Sequence, residues 1–216
     1  MAKLGIWLPT YKRPKAIARV AKNIEQTTHN EFRLWFGLEA DDPEGLRAAM
    51  ESGHDFVINK YTPGYSNTIQ TIYETDDCEL WIHANDDFEF MPDWDKTPVS
   101  MFERPDLMVV GLKQTENDAS YSAISMARRR YIDELSGVMD MPKRVLYPYN
   151  HNYVDTEFTQ TAQYRGVWAP CDAYVISHRH PLLIGEDHKD ETYRKNDATV
   201  ALDTLTFESR KHLWGK

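Results

Sequence analysis

Five short apolar runs punctuate the first half of the chain: LGIWL (4–8), RLWFGL (33–38), DFVIN (55–59), ELWIH (79–83) and LMVVGLK (107–113). Each is too short for a buried helix and rich in branched or aromatic side chains, so each reads as a strand. Between them the period changes. Pro14 suits the first turn of a helix, and Ile17, Val20, Ala21 and Ile24 then share one face. Asp42 can cap a second helix with Pro43 at its first position, and Gly53 closes it. A third helix turns Ile69, Ile72 and Tyr73 inward. Strands alternating with helices predict an α/β fold, a Rossmann-like, mostly parallel sheet with helices on both faces. With 216 residues and 41% apolar content, the whole chain 1–216 is expected to form a single domain.

The second half is less regular. ISMARRRYIDEL (124–135) reads as a helix, AYVISH (173–178) as a strand and 196–213 as a polar C-terminal helix. YNHNYVDTEF (149–158) has no clear period, but Asp155 or Thr156 can cap a helix there.

The formal charge of −9 argues against a broad non-specific grip on nucleic acid or an anionic membrane. Cys78 and Cys171 fit no zinc or CxxC spacing, so a reduced, cytoplasmic setting is expected. MAKLGIWLPT is too short in apolar residues for a signal sequence, and no stretch approaches the ~20 apolar residues of a membrane span.

Ligands of such sheets bind beyond the carboxyl ends of the strands, and the polar punctuation falls there. Adjacent Asp86 and Asp87 suit a hard divalent cation, although Asn and Asp also serve as plain turn formers. In SHRHP (177–181), alternation puts His178 and His180 on one face. An imidazole beside carboxylates moves the preference from magnesium toward manganese; the other reading is a surface or capping pair. PTYKRP (9–14) offers Thr10, Tyr11 and Arg13 to a phosphate and a base, or is an ordinary loop before a helix. ARRRY (127–131) reads as a solvated helix face or a phosphate contact, and Trp94 as core or a stacking platform. Neither a Walker A loop nor GxGxxG is present.

In order, these pieces resemble the GT-A glycosyltransferases, family 2 most of all. The opening loop is Pro9-Thr10-Tyr11-Lys12-Arg13-Pro14; Glu39, Asp41 or Asp42 matches the acid that reads the nucleotide. Gly64-Tyr65-Ser66-Asn67 looks like the family's Gly-x-x-Asn helix start, and Asn85-Asp86-Asp87 like its Asp-x-Asp metal motif. Val154-Asp155-Thr156-Glu157 occupies the place of the acceptor-activating acid, and His178 or His180 that of the C-terminal metal ligand.

The resemblance implies an inverting transferase that uses manganese or magnesium and a nucleotide-sugar, UDP-linked. Asp86, Asp87 and a histidine would hold the metal, with Asp155 as general base and Glu157 as the runner-up. It implies a nucleotide-binding half at 1–90 and an acceptor-binding half with the C-terminal helix at 91–216. The compact length resembles small phage and bacterial enzymes; a phage source would place it in the host cytoplasm and add a modified DNA base to glycan and protein as acceptors. Two competing functions are a nucleotidyltransferase, which usually carries a GxGxR loop absent here, and a non-catalytic nucleotide- or glycan-binding module. Retention of Asp86, Asp87, Asp155 and a late histidine speaks against the module.

Overall fold

The computed structural model describes residues 3–114, 124–179 and 191–215. The first apolar run becomes β1 (Leu4–Pro9), followed by α1 (Pro14–Thr27), which buries Ile17, Val20, Ala21 and Ile24 as its spacing requires. Then come β2 (Phe32–Leu38), α2 (Pro43–Ser52), β3 (Asp55–Ile58), α3 (Tyr65–Tyr73) and β4 (Leu80–His83). Asp42 accepts from the Gly45 amide at the start of α2, and Gly53 ends it in the left-handed region at φ 76°. These four strands are parallel, in the order β3-β2-β1-β4.

The sheet continues with β5 (Phe88–Phe90), β6 (Val109–Gln114), β7 (Ser125–Arg128) and β8 (Trp168–His178), giving the order β3-β2-β1-β4-β7-β6-β8-β5. β7 and β5 run against their neighbours, while the remaining pairings are parallel. Helices α4 (Lys96–Met101), α5 (Arg129–Leu135), α6 (Val154–Tyr164) and α7 (Glu191–Arg210) complete the fold, with a 3₁₀ turn at Lys211–Trp214.

Alternation along the central strands feeds two cores. Ile6 packs with Ile17, Val20 and Leu34, whereas its neighbour Trp7 packs with Trp35, Ile72 and Trp81 on the other face. Trp7 and Trp81 lie parallel, their ring centroids 4.4 Å apart. One carboxylate closes this layer: Asp76 accepts from Trp7 Nε1 at 2.7 Å and Trp35 Nε1 at 3.0 Å. Gly5 makes room for it, because a Cβ at Gly5 would stand 2.3 Å from Asp76 Oδ2.

One expectation changes and two open readings are decided. Residues 124–135 are not one helix: Ser125–Arg128 form a strand and only Arg129–Leu135 a helix. β7 lies between β4 and β6 with Met126 in one core and Ala127 in the other, so its apolar run has no period that separates strand from helix. Trp94 is core, packed 4.7 Å from Phe90 with Nε1 donating to Thr28, so it is no sugar platform. Arg128, Arg129 and Arg130 are not one helix face: Arg128 ends β7, and each donates to a main-chain carbonyl, of Leu107, Asp76 and Pro105 respectively, with only Arg130 exposed. Arg144 likewise spends its guanidinium on Leu146 O and Asn67.

Candidate active site

A cleft of about 1080 Å³ opens beyond the carboxyl ends of β1, β2 and β4. One wall comes from the loops after these strands and the start of α3; the other from residues 148–156 and from Asn196, Thr199 and Val200 of α7. A hollow of about 320 Å³ between Lys3, Arg33 and His54 sits at the opposite end of the sheet, away from this chemistry.

The loop after β1 is built against the acids around it. Lys12 takes φ 55°, and its amide donates to Asp42 Oδ2 at 2.6 Å. Thr10 Oγ1 donates to Asp86 Oδ2 at 2.6 Å, and Arg13 Nη1 meets Asp86 Oδ1 at 2.8 Å. Tyr11 OH reaches Asp41 at 2.9 Å. Asp86 is buried, which pushes its carboxyl above the ordinary range, while Arg13 and Thr10 oppose that shift. Both Asp86 oxygens are thus taken up in joining the β1 loop to the turn after β4. From α1, Asn23 pairs with Phe90 as a strand would, accepting from its amide at 2.7 Å and donating to its carbonyl at 3.1 Å. Arg19 donates to the carbonyls of Asp86 and Phe88, so the turn carrying the carboxylates is clamped from α1 as well.

Asp87 points differently. Phe88 lies opposite His178 across the antiparallel β5–β8 pair, which brings His178 Nε2 to 3.3 Å from Asp87 Oδ2. The imidazole stands edge-on to Phe88 at 4.9 Å, and Arg179 N donates to Asp87 O. One carboxylate oxygen and one imidazole nitrogen are a donor set that fits manganese or a similar ion better than magnesium. Of the expected ligands, the structure thus brings Asp87 and His178 together and turns Asp86 toward Thr10 and Arg13. His180 lies outside the described residues. Among those residues, Asp76, Asp77 and Cys78 bring three donor atoms within 4.8 Å of one another. They precede β4, at the sheet end away from the cleft, and Asp76 is already committed to two indoles.

Pro9, Thr10, Tyr11, Arg13, Glu39, Asp41, Asn67 and Asn85 all line the cleft, whereas Asp42 does not. Asp42 is buried, its carboxylate spent on the α2 cap and the Lys12 amide; it departs from the nucleotide-reading role expected of it. Glu39 accepts from Gly64 N and Thr68 Oγ1, both at 3.0 Å, and so fixes the start of α3. Asp41 is the exposed acid of the three.

On the facing wall, Asp155 sits in the first turn of α6 and lines the cleft. Its charge reaches Tyr65, whose hydroxyl is 3.0 Å from His83 Nδ1. Burial pushes the His83 imidazole down to about 4, so it is neutral near pH 7. Glu157 departs from the expectation of a second acid at the site. It is 1% exposed, accepts from Tyr149 OH at 2.6 Å and pairs with Arg210 at 2.8 Å, and no acceptor hydroxyl can reach it.

Sequence reading missed Asp203. Its carboxylate gathers the amides of Asn150, His151 and Asn152 at 2.9–3.0 Å, and the Asn150 side chain at 2.8 Å. Nothing local in YNHNY announces a partner some fifty residues later.

No family model and no curated protein sequence matches the chain. Solved structures do, among them several of glucosyl-3-phosphoglycerate synthase from Mycobacterium tuberculosis. The complex with Mn²⁺, UDP and glucosyl-3-phosphoglycerate superposes with a TM-score of 0.65 at 13% identity, over 83% of this chain and 72% of that one. The complex with Mn²⁺, UDP-glucose and glycerol 3-phosphate gives 0.64 at 13%, over 83% and 73%. The complex with Mg²⁺ and UDP gives 0.62 at 13%, over 83% and 72%. At this identity the likeness speaks for the fold, and the chain has the GT-A fold that its motif order predicts.

Proposed function

We propose that the protein is a metal-dependent glycosyltransferase of the family 2 type, moving a sugar from a UDP-linked donor to an acceptor hydroxyl with inversion. The observation that carries this reading is one cleft with Asp87 and His178 at the end of the sheet and Asp155 on the facing wall. The likeness to enzymes solved with UDP-glucose and Mn²⁺ supports it. In this reading residues 1–90 are the donor half and 91–216 the acceptor half.

Asp87 and His178 would hold the metal, which supplies positive charge to the departing diphosphate. Arg13, Thr10 and Asp86 set the β1 loop beside it, where Tyr11, Glu39 and Asp41 bound the space for the nucleoside. Asp155 takes the proton of the acceptor hydroxyl as its oxygen attacks the anomeric carbon. The bond from that carbon to the diphosphate oxygen breaks on the opposite face, so configuration inverts.

The acceptor is a glycan, a protein or a modified base. With a formal charge of −9 on the chain, a glycan or protein hydroxyl is favoured over DNA. The test is UDP release from a panel of UDP-sugars with Mn²⁺, and again with chelator. Turnover that needs the metal supports the reading, while tight metal-free binding with no turnover replaces it with a binding module.

A further inference from the structure

One face of α7 performs two tasks. Asn196, Thr199 and Val200 line the cleft, and Asp203, on the same face one turn later, reaches the loop before α6. Asp203 is 1% exposed and accepts five hydrogen bonds from three consecutive residues, 150–152. Burial alone would raise its pKa, but those bonds outweigh it and hold the carboxyl below its usual range.

The next residue, Tyr153, sits in the left-handed region at φ 68°, which a non-glycine side chain adopts only when its surroundings impose it. Here α7 imposes it twice more. The Tyr153 hydroxyl is 3.0 Å from Thr204 Oγ1, and its ring stacks on Phe207 at 4.7 Å with an interplanar angle of 13°. Val154 then opens α6, and Asp155 follows at its second position. Four consecutive residues leading to Asp155 are therefore shaped by one face of the last helix. That helix is anchored separately by Arg210, which pairs with Glu157 and Asp140.

We propose that Asp203 is a positioning residue: it holds loop 150–152, and through it the first turn of α6, so that Asp155 faces the cleft. The assignment rests on the glycosyltransferase reading only for Asp155's role as base. The experiment is Asp203→Asn alone and combined with Asp155→Asn, in the full chain. Asn keeps the shape but removes the charge and replaces one acceptor oxygen with a donor.

UDP affinity in Mn²⁺ should stay within about twofold, while turnover of the best UDP-sugar falls about tenfold or more. In the Asp155→Asn background the second substitution should have no further effect, because Asp203 acts through Asp155. Amide exchange should rise over residues 149–157 and stay unchanged over 9–13 and 85–88. Thr204→Val, which removes the Tyr153 tie together with a bond inside α7 to Val200 O and leaves Asp203 in place, should show the same pattern more weakly and guards against a misfolded Asp203 variant. Additive losses in the double variant, unchanged exchange at 149–157, or equal losses of UDP affinity and turnover would each overturn the proposal. If the parent turns over no UDP-sugar, the glycosyltransferase reading fails, and the exchange result still decides whether Asp203 holds the loop.

Discussion

His178 Nε2 lies 3.3 Å from Asp87 Oδ2, although 91 positions separate the two residues in the chain. Strand β5 makes this pair by running antiparallel beside β8 and delivering the carboxylate to the imidazole. Asp87→Asn and His178→Ala should each weaken Mn²⁺-dependent UDP binding by more than about tenfold, read by calorimetry with and without the metal. Unaltered metal dependence in both variants would sink the pair as ligands.

Asp155→Asn separates catalysis from a structural role. The helix is capped at Tyr153, not at Asp155 or Thr156 as the sequence suggests. At the second helical position Asn keeps the shape and forfeits only a dipole interaction of ~0.3–1 kcal/mol, so a structural role leaves turnover near the parent rate. The expected outcome is a loss of ~10²–10⁴-fold in turnover with UDP affinity retained.

Arg210→Met tests the other acid. It leaves Glu157 buried without its cation, and the native state should lose ~3–5 kcal/mol, seen as a lower urea midpoint. If the midpoint does not move, the Glu157–Arg210 pair is not what fastens α7 to α6.

These cases show what the sequence made legible. The β1 loop, the capped start of α2 and the carboxylates after β4 are encoded within a few residues of their strands, so pattern and turn chemistry suffice. Glu157 looks like a site acid beside Asp155, because a spacing of two does not say which side chain meets Arg210. β7 was hidden by burial on both faces, and Trp94 by chemistry common to cores and sugar platforms. Asp203, like His178, acts across a long stretch of chain, where periodicity carries no information.

His83 gives a pH signature. Its imidazole titrates near 6.5 when unfolded and about 4 when folded. Between those values the unfolded chain binds a proton that the folded one refuses, so stability falls as pH drops from 6.5 toward 4. The full loss is about 3 kcal/mol. His83→Gln should flatten this part of the midpoint-versus-pH curve; an unchanged slope assigns the acid loss elsewhere.

Gly5→Ala should destabilise the sheet by ~1–3 kcal/mol, as overpacking does. The added carbon would stand 2.3 Å from Asp76 Oδ2 and 2.9 Å from Trp7 Nε1, and Asp76 is held by two indoles. A thermal midpoint equal to the parent's would mean that Asp76 yields freely.

The stacked Trp7 and Trp81, with the Asp76 carboxylate beneath Trp7 and Trp35, also decide what light can report about this molecule. None of the six tryptophans lines the cleft, and Trp94 and Trp214 are buried in packing of their own. Ultraviolet emission and near-ultraviolet dichroism are therefore gauges of sheet integrity. Substrate arrival will pass through them almost unseen, and an optical sensor of the cleft has to be introduced on the Tyr11 or Tyr65 side, where aromatic rings already meet the solvent-filled space.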